Sequence, residues 1–229
     1  MTRKARPTPS KEQFFHDKLL GWFDVNRRNF PWREGKIDPF ISLVTELLLQ
    51  RTRAESIAAF YPAIKDNFST PVKILGRDPA LIRQDLSSLG LQDRRTDALR
   101  ILARVVHEEY GDMVPPDEKK LLELQGIGRY IARAVLCFAF GKPVSIVDGN
   151  VTRIICRFFN LENKGDNRRN KHIWEKGDEI IAQDPARVKE FNWALLDFGA
   201  KICTPRNPSC GSCCLNEMCS LYGSGKDKK

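Results

Sequence analysis

Apolar positions recur along this chain at spacings of three and four, and no stretch keeps the strict alternation of a half-buried strand. Lys11–Asn26 sets Phe14, Phe15, Leu19, Leu20, Trp22 and Phe23 on helical spacing. Pro39, pre-set for a first helical turn, opens an apolar helix from Phe40 to about Thr52. Amphipathic stretches follow at 54–66, 70–76, 78–88 and 92–110, separated by short turns such as Leu89-Gly90. Asp117 reads as the N-cap of a short helix through Leu124. A glycine turn at Gly126 and Gly128 follows, and then a helix from Arg129 to Phe140, closed by Gly141. Asp148 is a second N-cap before an apolar helix to Phe159. The polar run 160–171 reads as a loop, and helices resume at 172–183 and 186–203. The expected fold class is all-α, without internal repeats.

At 229 residues the chain has enough length for one or two buried cores. No apolar run reaches the ~18–20 residues that span a bilayer, so no membrane partner is expected. The formal charge of +9 points toward nucleic acid, but much of it is terminal. Arg3, Lys4, Arg6 and Lys11 contribute +4 and the last four residues +2, which leaves +3 for the body. Residues 1–10 and 222–229 read as disordered tails.

Cys203, Cys210, Cys213 and Cys219 follow the pattern C-x6-C-x2-C-x5-C. Four thiolates so close in sequence suit a [4Fe–4S] cluster or a structural zinc. The absence of paired C-x2-C knuckles and the long first loop favour iron–sulfur. Cys214 is the spare, and Cys137 and Cys156 sit in apolar helical runs as small core residues. Nothing at the start resembles a secretory signal, and seven cysteines leave one odd, so a reduced compartment is expected over disulfides.

Leu122 to Ala132 reads as helix, glycine hairpin, helix. Gly126 and Gly128, flanking Ile127, let the backbone turn and approach a ligand closely, and the helix that begins at Arg129 offers N–H groups to an anion. An ordinary helical hairpin would look the same. Ser42, Thr45, Glu46 and Gln50 form a polar stripe on an otherwise apolar helix, which is commonly a solvated face.

Taken together, L-Q-G-I-G-R-Y at 124–130, V-D-G-N at 147–150 and a cysteine run opening 75 residues beyond Gly128 resemble the helix–hairpin–helix DNA glycosylase superfamily. The likeness runs from about Phe15 to Cys219, in the branch that includes endonuclease III. It implies a six-helix barrel at 33–142, with the hairpin motif at about 117–140. A second helical domain would join 1–32 to 143–229 and carry a [4Fe–4S] cluster on the four cysteines. The active site would lie in the cleft between the domains, with a nucleotide flipped into it.

The resemblance also implies roles. Asp148 matches the essential aspartate, which would stabilise positive charge at C1′ or orient water. Tyr130 stands where members that also cut the backbone hold a Schiff-base lysine, and Arg129 is no substitute, so base excision without an efficient lyase step is implied. The stretch T-E-L-L-L-Q-R-T is similar to the segment that supplies a catalytic glutamate in MutY-type adenine glycosylases and archaeal thymine mismatch enzymes. It marks Glu46, with Asn150 holding the aspartate or sugar. Gln50-Arg51 and the Leu89–Gln92 turn, through Leu91 and Gln92, are the implied wedges into the gap left by the flipped base.

Arg51, Leu91 and an end soon after the cysteines resemble the thymine/uracil mismatch group. Gln50 departs from the arginine expected there and fits the adenine group. The expected substrate is thymine or uracil opposite guanine in duplex DNA, with adenine opposite 8-oxoguanine or guanine as the alternative. A cluster protein that binds DNA without chemistry is the third reading. A monomer in the cytoplasm, associated with the nucleoid, is implied.

Overall fold

In the computed structural model residues 9–163 and 170–225 are described. The basic stretch 1–8, the last four residues and positions 164–169 of the polar run lie outside them.

Every regular element among the described residues is helical. The helices are α1 (Lys11–Asn26), α2 (Pro39–Leu49), α3 (Ala54–Asn67), α4 (Pro71–Gly76), α5 (Pro79–Asp85), α6 (Gln92–Tyr110), α7 (Glu118–Glu123), α8 (Arg129–Phe138), α9 (Gly149–Phe159), α10 (Lys171–Ile181), α11 (Val188–Lys201) and α12 (Ser220–Gly223). Local chemistry sets many of the starts. Ser10, Asp38, Thr70, Asp78, Asp117 and Asp148 each accept a first-turn N–H through their side chain. Proline follows directly at α2, α4 and α5, where the missing N–H is no loss.

The chain divides into two compact units, Asn29–Lys142 and Met1–Arg28 with Pro143–Lys229. In the first, α2 packs on α3 and α8, α6 on α4 and α5, and α7 on α8. Leu43, Val44, Leu48, Ile57, Phe68, Leu99 and Val135 are fully enclosed there. In the second, α1 packs on α10 and α11, and α9 on α10, α11 and α12. Its core is aromatic: Phe15 lies 4.8 Å from Phe158 and 5.4 Å from Phe159, ring centre to ring centre.

Several expectations need correction. The helix expected to run to Thr52 ends at Leu49, because Gln50 turns to an extended ψ and Arg51 takes a left-handed φ of 58°. The stretch 78–88 is α5 followed by a 3-10 turn at Leu86–Leu89. Two residues expected in the terminal stretches take part in regular structure: Ser10 caps α1, its hydroxyl accepting from Gln13 N at 3.1 Å, and Tyr222 lies in α12. The polar stripe is solvated only at Gln50, past the end of α2. Ser42, Thr45 and Glu46 are all buried, with Thr45 bonding back to Ile41 O at 2.7 Å.

Candidate functional site

Asp148 ends an extended segment, and side chains hold that segment in place of a sheet. Asn192 of α11 accepts from Ile146 N at 2.8 Å and donates to Val144 O at 3.1 Å. Asp178 of α10 accepts from both Ser145 N (2.9 Å) and Ser145 Oγ (2.7 Å). The half-buried Asp148 then caps α9, one carboxylate oxygen accepting from Val151 N at 2.7 Å. Its other oxygen accepts from Asn150 Nδ2 at 3.0 Å. Asn150 in turn accepts from Arg153 at 3.0 Å, and Arg153 donates to Gly199 O (3.0 Å) and Cys203 O (2.8 Å). The aspartate is thus fixed in rotamer, and capping and candidate chemistry share one side chain. Sequence reading missed Asn192, Asp178 and Arg153, whose partners lie far along the chain.

That network ends at the cysteine loop. Cys203, Cys210, Cys213 and Cys219 all line one hollow, together with apolar side chains such as Ile154, Phe198 and Leu215. Arg157 organises the first loop, donating to Thr204 O at 2.7 Å, to Pro205 O at 3.0 Å and to Cys203 Sγ at 3.4 Å. Leu215 N donates to Cys213 Sγ at 3.4 Å. Burial among neighbouring thiols pushes Cys213 up to about 12, a cost that iron would offset by binding the thiolate. N–H donors aimed at sulfur and a largely apolar wall suit an iron–sulfur cluster. No three His, Cys, Asp or Glu side chains among the described residues converge as ligands of a single ion. A cluster of four irons takes one thiolate per iron, spread around a larger body. The four cysteines fit that group. Cys214 is outside the hollow's lining, and burial pushes its thiol up to about 11.

In the unit Asn29–Lys142, Glu46 lies on α2 with 5% of its surface exposed. Its Oε2 has no hydrogen-bond partner among the described residues. Burial raises its pKa to about 7, against a smaller opposing pull from Arg33. A carboxyl poised there gives up or holds a proton near neutrality, as a general acid requires.

The glycine hairpin joins α7 to α8. Gly126 takes a φ of 84°, and Ile127 N donates to Leu124 O at 3.0 Å, closing the turn. Ile127 is buried, so its side chain anchors the hairpin and only its backbone faces outward chemistry. Gly128 starts α8 without a side-chain cap, which leaves that end suited to a phosphate. Arg129 pairs with Glu118 at 3.4 Å, and Tyr130 is half-buried in the first turn of α8. Gln50, exposed, reaches from the end of α2 to Gly126 O at 3.5 Å. Gln50, Arg51 and Leu91 line a common hollow with Gly126; Gln92 opens α6 beside it.

Residues 44–179 match the HhH-GPD superfamily base excision DNA repair proteins, and residues 203–219 match the iron–sulfur binding domain of endonuclease III. The chain is 37% identical to a thymine/uracil-DNA glycosylase of Methanothermobacter thermautotrophicus, over 94% of this chain and 96% of that one. It is 35% identical to an adenine DNA glycosylase of Mycobacterium tuberculosis, over 90% of this chain and 67% of the relative. The solved structure of a thermostable thymine-DNA glycosylase superposes with a TM-score of 0.88 at 36% identity, covering 93% of this chain and 97% of that one. The chain belongs to the HhH-GPD superfamily of base excision DNA repair proteins, with a [4Fe–4S] cluster as its cofactor and DNA as its partner. No helix among the described residues is long and apolar enough to cross a membrane.

Proposed function

We propose that this protein is a DNA N-glycosylase that removes thymine or uracil mispaired with guanine, as a monomer and without an efficient backbone-cutting step. The observation that carries the substrate reading is the 36% identity and 0.88 TM-score shared with a thymine-DNA glycosylase. On this reading the C1′–N bond of the flipped nucleotide breaks, water adds at C1′, and the base leaves with a proton. Asp148 faces the positive charge that builds on the sugar, its second oxygen steadied by Asn150. Glu46 supplies or shares the proton for the departing base, a role its raised pKa of about 7 supports. Tyr130 has no amine, so no Schiff base with the sugar forms at that place.

The backbone of Gly126-Ile127-Gly128-Arg129 is read as the phosphate grip. Gln50, Arg51, Leu91 and Gln92 are read as the side chains that fill the vacated space. The cluster, held by Cys203, Cys210, Cys213 and Cys219, supplies a rigid prop for a phosphate-facing loop. Chromosomal DNA is then the working partner, in the nucleoid.

The test is single-turnover excision on duplexes carrying T·G, U·G, A·G, A·8-oxoguanine and thymine glycol, each sampled with and without alkali. Fast release from T·G and U·G, with strand cleavage only after alkali, is the expected result. Adenine excision is the second reading, supported by the 35% identity to an adenine glycosylase and by Gln50. Preference for A opposite 8-oxoguanine would establish it and sink the first. Binding with no abasic product from any duplex would leave only the non-catalytic cluster protein.

A further inference from the structure

Arg95, in the first turns of α6, is 5% exposed, and among the described residues no carboxylate pairs with it. A guanidinium normally leaves water only for a strong acceptor set, and an arginine near a helix start runs against the helix dipole. Its partners explain the location. Nη1 donates to Leu89 O at 2.9 Å. Nη2 donates to Leu48 O at 3.3 Å, to Gln50 O at 3.1 Å and to the Thr52 hydroxyl. One planar group therefore ties two turns far apart in sequence, Leu48–Thr52 and Leu89–Gln92.

Each turn carries a residue that pays backbone strain. Arg51 has a φ of 58° and Leu91 a φ of 54°, where non-glycine residues seldom sit. Such conformations persist only when the surroundings over-determine them. Both side chains are exposed, Leu91 to 52%, although an apolar side chain gains nothing from water there. The exposed chains stand outward, and the buried guanidinium of Arg95 holds carbonyls in both turns.

We infer that Arg95 is a positioning residue that holds the two DNA-inserting turns in register, so that Gln50, Arg51 and Leu91 enter the base stack as one rigid wedge. It touches no reacting atom. The inference rests on the reading of these turns as inserting segments. A lysine at this position keeps the charge, but it lacks the planar fork that spans several carbonyls at once.

The test uses the full holo-protein and a duplex with a tetrahydrofuran abasic analogue opposite guanine, with 2-aminopurine beside that guanine. Wedge insertion unstacks the 2-aminopurine and raises its fluorescence. The wild-type protein is expected to give this rise. Arg95→Met, checked for its visible cluster absorbance and cooperative melting, is expected to lose most of the saturated rise and to bind about tenfold more weakly, the scale of a lost charge-assisted bond set. Arg95→Lys and Thr52→Val are expected to lie between. A merely structural role would weaken binding or melting but leave the rise at saturation unchanged.

An unchanged rise in folded Arg95→Met overturns the proposal, as does the absence of any rise with wild type. If Arg95→Met does not fold, Arg95→Lys and Thr52→Val decide, and an undiminished saturated rise in both overturns it. The abasic analogue has no base to release. A protein that unstacks this probe yet excises nothing from the duplex panel would refute the glycosylase reading and leave this one standing.

Discussion

Glu46 carries the sharpest expectation at the scale of a residue, because its environment and its proposed chemistry pull on one proton. Its folded pKa of about 7 lies above the ordinary 4.5, so folding favours the protonated form. The stability it contributes is complete below about pH 4.5 and is lost as pH rises through about 7. Glu46→Gln removes the titration. It should melt like wild type at pH 4 and be more stable at pH 8 by about 3 kcal/mol, from 1.36 kcal/mol per pH unit. Its single-turnover excision should fall by roughly 10²-fold, and the wild-type rate should decline above about pH 7 while the variant's stays flat. Asp148→Asn separates two duties. Asparagine caps a helix as well as aspartate, so melting should shift by less than about 1 kcal/mol, whereas excision should drop by roughly 10²–10³-fold. A large loss of stability would mean that the cap is the residue's main work. Asp148 was legible in the sequence from both its place before a helix and its motif. The burial of Glu46 was not, since a polar stripe on α2 reads the same whether water or protein covers it.

Between elements, the contact of α9 with α11 decides how firmly Asp148 is held. A Cβ added at Gly199 would stand 2.9 Å from Asn150 Cβ, and Asn150 is the side chain that steadies the aspartate. Gly199→Ala should therefore cost about tenfold or more in excision through a displaced Asn150, with a stability loss of only about 1–3 kcal/mol. Parallel kinetics and melting curves would show the disproportion, and equal mild losses would refute it. A glycine inside a helix costs about 1 kcal/mol against alanine, and that was the available signal for Gly199. The starts at Pro39, Asp117 and Asp148 were legible because proline and aspartate act locally. The end of α2 was not: Gln50 and Arg51 are neither glycine nor proline, and the carbonyls at the break bond to Arg95 far along the chain.

At the scale of the whole molecule, long-range polar pairs and the cysteine loop are where single changes are expected to act furthest. Asp197 is fully buried on α11 and receives Arg28 through Nε at 2.7 Å and through the backbone N at 2.8 Å, beyond the end of α1. Asp197→Asn leaves the guanidinium under-compensated and should cost roughly 3 kcal/mol in chemical denaturation. Removing iron, or making Cys213→Ser, should abolish the visible absorbance, lower Tm and weaken duplex binding together. Duplex affinity that survives loss of the absorbance would show that the loop needs no prop. The sequence by itself determined the helical character, the caps at Asp117 and Asp148, the glycine hairpin and the cysteine set, because each depends on residues a few positions apart whose spacing is covalent. Tertiary structure alone decided that Glu46 is desolvated, that Asn192 and Asp178 hold the segment leading to Asp148, and that Arg95 joins two turns. Desolvation and long-range hydrogen bonding belong to the surroundings a side chain acquires on folding, and no local spacing encodes them.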